Sequence, residues 1–269
     1  MLSLMLDTVL IPLVLGLVFG LIGQRLGRAE AVVFGLAILA IYVLLEGIPA
    51  FPPTAGKQKL AYILAAAVLV AYLPRPRLVA PLFLVVAALW LGWPKFSRGV
   101  PDIGLILVFA PAMAALIAVP QRSEAATQGF LWPAVLMVFG LGAAALSVLG
   151  VFMGFAQAMG AEVALLGGAL AVAYLRGLYT GQFQVFGPET LRLVLMCLAA
   201  TSLMIALFAP DINLTAYALL SVTLVVPALP FRFGAMPAAL RPFAFAAMAA
   251  VPAILAVLLA YAAASAMAS

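Results

Sequence analysis

Almost every charged residue of this chain marks the end of an apolar run. A helix needs about 20 mostly apolar residues to cross a hydrocarbon core about 30 Å thick, or somewhat fewer where flanking side chains snorkel. On that template ten runs are predicted, near 5–23, 31–48, 58–73, 78–93, 103–119, 131–152, 162–180, 190–209, 213–229 and 243–264. The breaks carry turn and charge chemistry. Gln24-Arg25-Leu26-Gly27-Arg28 closes the first run, a proline- and glycine-rich stretch from Gly47 to Lys59 the second, and Pro74-Arg75-Pro76-Arg77 forms a hairpin. Further polar breaks lie at Pro94–Asp102 and Pro230–Pro242.

The pattern predicts an all-α, polytopic integral membrane helix bundle, with residues 1–269 as one transmembrane domain. The third and fourth runs are short, spanning about 24 Å at 1.5 Å per residue. They are either short spans or a re-entrant pair, so eight spans is the alternative to ten. Ten spans divide into possible halves 1–125 and 126–269, which would be inverted relative to one another as in many secondary transporters. The sequence offers no clear internal repeat in support.

Charge gives an orientation. Loops after odd-numbered runs carry Arg25, Arg28, Arg75, Arg77, Arg122, Arg176, Arg192, Arg232 and Arg241, whereas the other loops carry only Lys57, Lys59, Lys95 and Arg98. In short loops that bias places the arginine-rich side in the cytoplasm and both termini outside. Asp7, Glu46, Asp102, Glu162 and Asp211 map to the outer side, and every acid is predicted within a turn or two of a span end. Trp90, Trp93 and Trp132 sit near span ends, as an interfacial aromatic belt requires.

Composition then narrows the chemistry. The chain is 68% apolar, its mean hydropathy is +1.31, and the segments between runs are too short for a soluble domain. There is no histidine, and Cys197 is the lone cysteine, so the sequence offers no bis-histidine haem site, disulfide, Cys-x-x-Cys pair or recognisable metal site. No cofactor is expected. The net charge of +5 is spread over many loops and forms no stripe, which argues against a nucleic-acid partner. The first residues lack a basic n-region, so the first span is expected to remain in place rather than be cleaved as a signal peptide.

Four groups of residues are candidates for more than spanning. Gly16, Gly20, Gly23 and Gly27 share one face of the first helix, a spacing that suits close packing within the chain better than a subunit interface. Asn213, Tyr217 and Ser221 share a face of the ninth run, and Cys197 and Thr201 one of the eighth. These faces belong inside the bundle, either as hydrogen-bonded packing or as the lining of a solute path. Arg176 is the deepest charge, near enough to a span end to snorkel, within a polar stretch that reaches Gln184, Glu189 and Arg192. On the outer side Glu46, Lys57 and Lys59, with Arg98 and Asp102, occupy the longest loops, as solvated loop ends or a site for an anionic headgroup or small solute.

No phosphate loop, nucleophile elbow or zinc motif is present. The expectation is a small transporter or permease for a weakly polar or lipid-like solute, not an enzyme, in a bacterial cytoplasmic membrane and surrounded by lipid. A non-catalytic scaffold or anchor subunit, with a membrane protein partner or as a homo-oligomer, is the alternative.

Overall fold

The computed structural model describes residues 5–96, 103–119, 129–183, 185–229 and 236–268, and every regular element among them is helical. In chain order these are α1 (Ile11–Leu26, entered through a π-helical turn Leu6–Leu10), α2 (Glu30–Glu46), α3 (Gly56–Val70), α4 (Pro76–Phe96) and α5 (Ile103–Ala118). They continue as α6 (Leu131–Leu149), α7 (Met153–Thr180), α8 (Pro188–Phe208), α9 (Leu214–Ser221, prolonged by 3-10 turns over Val222–Ala228) and α10 (Arg241–Ala268). Hydrocarbon offers backbone groups no partner, so apolar runs of this length close their hydrogen bonds internally as helices. Seven helices among the described residues are long and apolar enough to cross a membrane. The protein is an all-α, multi-pass integral membrane bundle, in contact with lipid.

Local sequence sets the ends. Gly47 at φ 81° stops α2, and Gly181 at φ 72° stops α7, both in backbone regions that side chains resist. Pro188 opens α8 at a position where its missing N–H costs nothing. Several boundaries differ from the sequence expectation: α1 runs on to Leu26, α10 extends over Arg241–Ala268, and two further shifts have identifiable causes. The fourth run is a full 21-residue helix, because Pro76 starts it and Pro94 lies within its last turn instead of ending it. The seventh begins at Met153, not near 162. Its turn from α6 is only Gly150-Val151-Phe152, which contains no polar residue to announce it. Val151 takes φ 56° there, and Ser147 fastens the turn twice: its hydroxyl donates to the Phe152 carbonyl at 2.8 Å and its carbonyl accepts from Phe152 N at 2.9 Å.

α8 is the axle of the bundle. Its span is 94% buried, and it packs against α2, α3, α4, α5, α6 and α7. α10, 22% buried, is an outer wall resting on α6 and α9. The tightest pairing is α1 on α7: Gly16 and Gly20 of α1 lie against the Leu165 carbonyl and Ala169, while Gly168 of α7 lies against Leu13 and Leu17. Without a hydrophobic drive between helices in lipid, close backbone approach of this kind supplies the packing energy. Gly23 instead faces Phe19 and the Glu30 carboxylate, and Gly27 has open space at φ 53°.

Contacts sort the loops onto two ends. At one, Tyr72 donates to the Arg28 carbonyl, Arg192 to the Ala71 carbonyl at 3.1 Å, and Arg176 to the Gly20 carbonyl at 2.9 Å. At the other, Lys57 pairs with Glu46 at 3.5 Å and Lys59 donates to the Trp90 carbonyl at 3.1 Å. Thus α3 and α4 each run from one end to the other; they do not turn back as a re-entrant pair.

Candidate functional site

The polar interior lies where α7 and α9 meet the axle, α8. Glu162 stands nine residues into α7 and is 6% exposed. Thr201, on the facing side of α8, donates its hydroxyl to Glu162 Oε1 at 2.8 Å. Glu162 Oε2 is buried with no hydrogen-bond partner. This corrects the placement of Glu162 at an outer span end. The error follows from the unannounced Gly150–Phe152 turn: with α7 started too late, a carboxyl inside the helix reads as one beside it. A run-by-run search that allowed Gln157 and Glu162 within a span would have found it, since apolar residues flank both on each side.

Cys197 lies one turn before Thr201 and is buried. On the next residue after Thr201, Ser202 shares a 2.8 Å hydrogen bond with the Tyr217 hydroxyl, tying α8 to α9. Tyr217 is fully buried, and Ser221 donates to its carbonyl at 3.0 Å, so Ser221 is satisfied within its own helix. Asn213 is the N-cap of α9: its Oδ1 accepts from Ala216 N at 3.0 Å. The structure therefore brings Thr201 to Glu162 and Tyr217 to Ser202, while Asn213 stands apart at the end of the bundle. There it borders a cleft of about 370 Å³ between α6, α10 and the loop joining α8 to α9.

α2 packs against both α7 and α8 beside this region. Tyr42, buried, donates to the Lys57 carbonyl at 2.8 Å and lies within electrostatic reach of both Glu46 and Glu162. Glu46, one turn further along α2, is half-buried at the bundle end and paired with Lys57. Of the remaining outer candidates, Lys59 also lies 5.9 Å from the Trp90 ring centre. Arg98 and Asp102 fall outside the described residues, as do Gln184, Arg122 and Arg232.

The opposite end holds a second buried acid that sequence reading passed over. Glu30, opening α2, accepts from Gly187 N at 2.8 Å and from the Thr190 hydroxyl at 2.9 Å, both through Oε2. It thereby caps α8 from another helix, where the helix dipole favours negative charge. Arg176 reaches the same region, bonded to α1 carbonyls, and lines with Glu30 a void of about 10 Å³. That volume is the size of a single water. Among the described residues no three His, Cys, Asp or Glu side chains converge as a metal site would require. No family model, curated protein or solved structure matches the chain.

Proposed function

We propose that the protein is a small transporter for a weakly polar or lipid-like solute, and that protonation of Glu162 couples its cycle to the proton gradient. It would sit in a bacterial cytoplasmic membrane with both termini outside, and no catalytic step is part of the reading. The observation that supports it is the Glu162 carboxyl, enclosed between α7 and α8 with one oxygen bonded to Thr201 and the other unpartnered. Ionisable groups inside a membrane bundle are costly and mark proton, ion or solute pathways. An unpaired carboxylate in low dielectric is so unfavourable that such a group is kept as the acid or beside a cation. A carboxyl that alternates between those two conditions as its surroundings open links proton movement to a change of shape. The scaffold reading accommodates the enclosed α8 equally well but gives this carboxyl no task.

Proteoliposomes under an imposed proton gradient, offered a panel of fluorescent amphiphiles and small neutral solutes, test the proposal. Gradient-dependent accumulation of a solute is expected from the wild type, with Glu162→Gln abolishing the dependence on the gradient and Glu162→Asp retaining part of it. Uptake indifferent to Glu162→Gln, or no uptake of any solute beside a stoichiometric protein partner in native mass spectrometry, would overturn it.

A further inference from the structure

The cleft beside Asn213 is built differently from the rest of the bundle end. Its floor is apolar, from Leu146 and Leu149 at the end of α6 and Ile212 in the loop after α8. One wall is α10, which presents Ala260, Ala263 and Ala264 there, so the space exists because three small side chains stand where larger ones would fill it. At about 370 Å³ it falls within the ordinary range of ligand sites, roughly 300–1,000 Å³. α10 is the least buried of the long helices, so this wall is the one that borders lipid.

Two polar groups border that apolar space, and each has unused capacity. Asp211 is exposed, and no described cation pairs with it. Asn213 spends its side-chain oxygen on Ala216 N, which leaves its amide N–H groups without a partner among the described residues. The cleft thus offers an anionic acceptor and a neutral donor side by side over a hydrocarbon floor. A ligand that matches all three has a cation, then an anionic or strongly accepting oxygen, then an apolar chain.

We infer that this cleft holds a phospholipid with an ethanolamine-type head: its ammonium on Asp211, a phosphate oxygen accepting from the Asn213 amide, and the upper part of an acyl chain along Leu146, Leu149 and the α10 alanines. An anionic lipid lacks the cation and meets Asp211 with like charge. A purely apolar occupant leaves both polar groups unused. The inference is independent of the transport reading, since neither Glu162 nor Thr201 lines the cleft.

The experiment uses the full-length protein in nanodiscs of mixed phosphatidylethanolamine and phosphatidylglycerol, followed by native mass spectrometry of the lipids retained. One ethanolamine lipid in preference to the glycerol lipid is expected on the wild type. Asp211→Asn should lower that preference by about two- to fivefold, the scale of an ion pair open to solvent. Asn213→Asp keeps the helix cap but replaces the donor with a negative acceptor, and should reduce retention as well. Ala263→Leu fills the cleft and should remove the bound lipid whatever its head. Unchanged thermal unfolding in each variant separates loss of lipid from loss of fold. Equal retention of both lipids, or a preference that survives Asp211→Asn and Ala263→Leu, would refute the site. Displacement of the lipid by millimolar phosphoethanolamine alone would instead identify a soluble amine as the occupant and overturn the lipid assignment.

Discussion

Thr201 donates its hydroxyl to Glu162 across the α7–α8 interface at 2.8 Å, and it is the one hydrogen bond this carboxyl receives among the described residues. The bond joins the most enclosed helix of the bundle to the longest apolar segment lying against it. Replacing Thr201 with valine keeps the shape of the side chain and leaves both oxygens of Glu162 unsatisfied. The expected cost is about 1–3 kcal/mol, the desolvation penalty of a buried polar group stripped of its partner, and above the ~0.6 kcal/mol average for hydrogen bonds between membrane helices. Combining it with Glu162→Leu should cost less than the two single changes added together, because no orphan remains. Unfolding titrations of the four proteins in detergent measure the coupling; strict additivity would show that the two groups do not interact.

Asn213 and Tyr217 share a helix face by their spacing, but they have separate duties. Tyr217 holds α9 to α8 through Ser202, whereas Asn213 holds α9 to its own first turn. Asn213→Leu therefore removes a helix cap and should destabilise the protein by about 1 kcal/mol. This differs from the expectation for a path-lining residue, whose replacement leaves folding intact. Asn213→Ser retains a capping oxygen and should recover most of the loss. A melting temperature for Asn213→Leu equal to that of the wild type would mean that the cap contributes nothing.

The α1–α7 interface predicts opposite outcomes for one kind of substitution. A methyl group on Gly16 would overlap the Leu165 carbonyl, so Gly16→Ala must push the two backbones apart. Overpacking of this kind costs about 1–3 kcal/mol. Gly160, in the same α7 helix, has nothing within 4 Å of where its methyl would stand. Gly160→Ala should therefore stabilise by about 0.5–1 kcal/mol through helix propensity alone. Thermal unfolding of the two single variants compares them directly, and the same sign for both would contradict the packing described here.

The fold was legible because its determinant is one-dimensional. Run length and turn chemistry place all ten helices, and even the short run at 58–73 emerges as Gly56–Val70. The largest boundary error falls where the turn carries no polar signal, at Gly150-Val151-Phe152, and another where a proline sits in a terminal turn, as Pro94 does; α1 and α10 also run three to four residues past their predicted ends. The site was less legible for the same reason. Glu162 was hidden by a boundary error, and Glu30 by its position: a first-turn acid reads as a local cap for α2, yet it serves the start of α8. Thr201 and Tyr217 were found because a polar group in an apolar run must face a partner. Which partner each one faces depends on how helices distant in sequence are arranged, and periodicity does not contain that.

The same transverse contacts that place Glu30 also fix which loops share an end, which turns orientation into a two-site measurement. Arg25, Arg28, Arg75, Arg77, Arg176, Arg192 and Arg241 gather at one end among the described residues, against Lys57, Lys59 and Lys95 at the other. Positive charge is retained on the cytoplasmic side during insertion, so the arginine end should face the cytoplasm. Cys197 is buried and is the chain's one cysteine, so Cys197→Ala gives a silent background. In that background Thr54→Cys and Arg75→Cys place exposed thiols at opposite ends of α3. A membrane-impermeant maleimide applied to spheroplasts should label the first, and the second only after permeabilisation. The reverse pattern would invert the bundle and place both termini inside. Labelling of both from one side would mean that α3, at 15 residues and about 22 Å, does not cross the membrane.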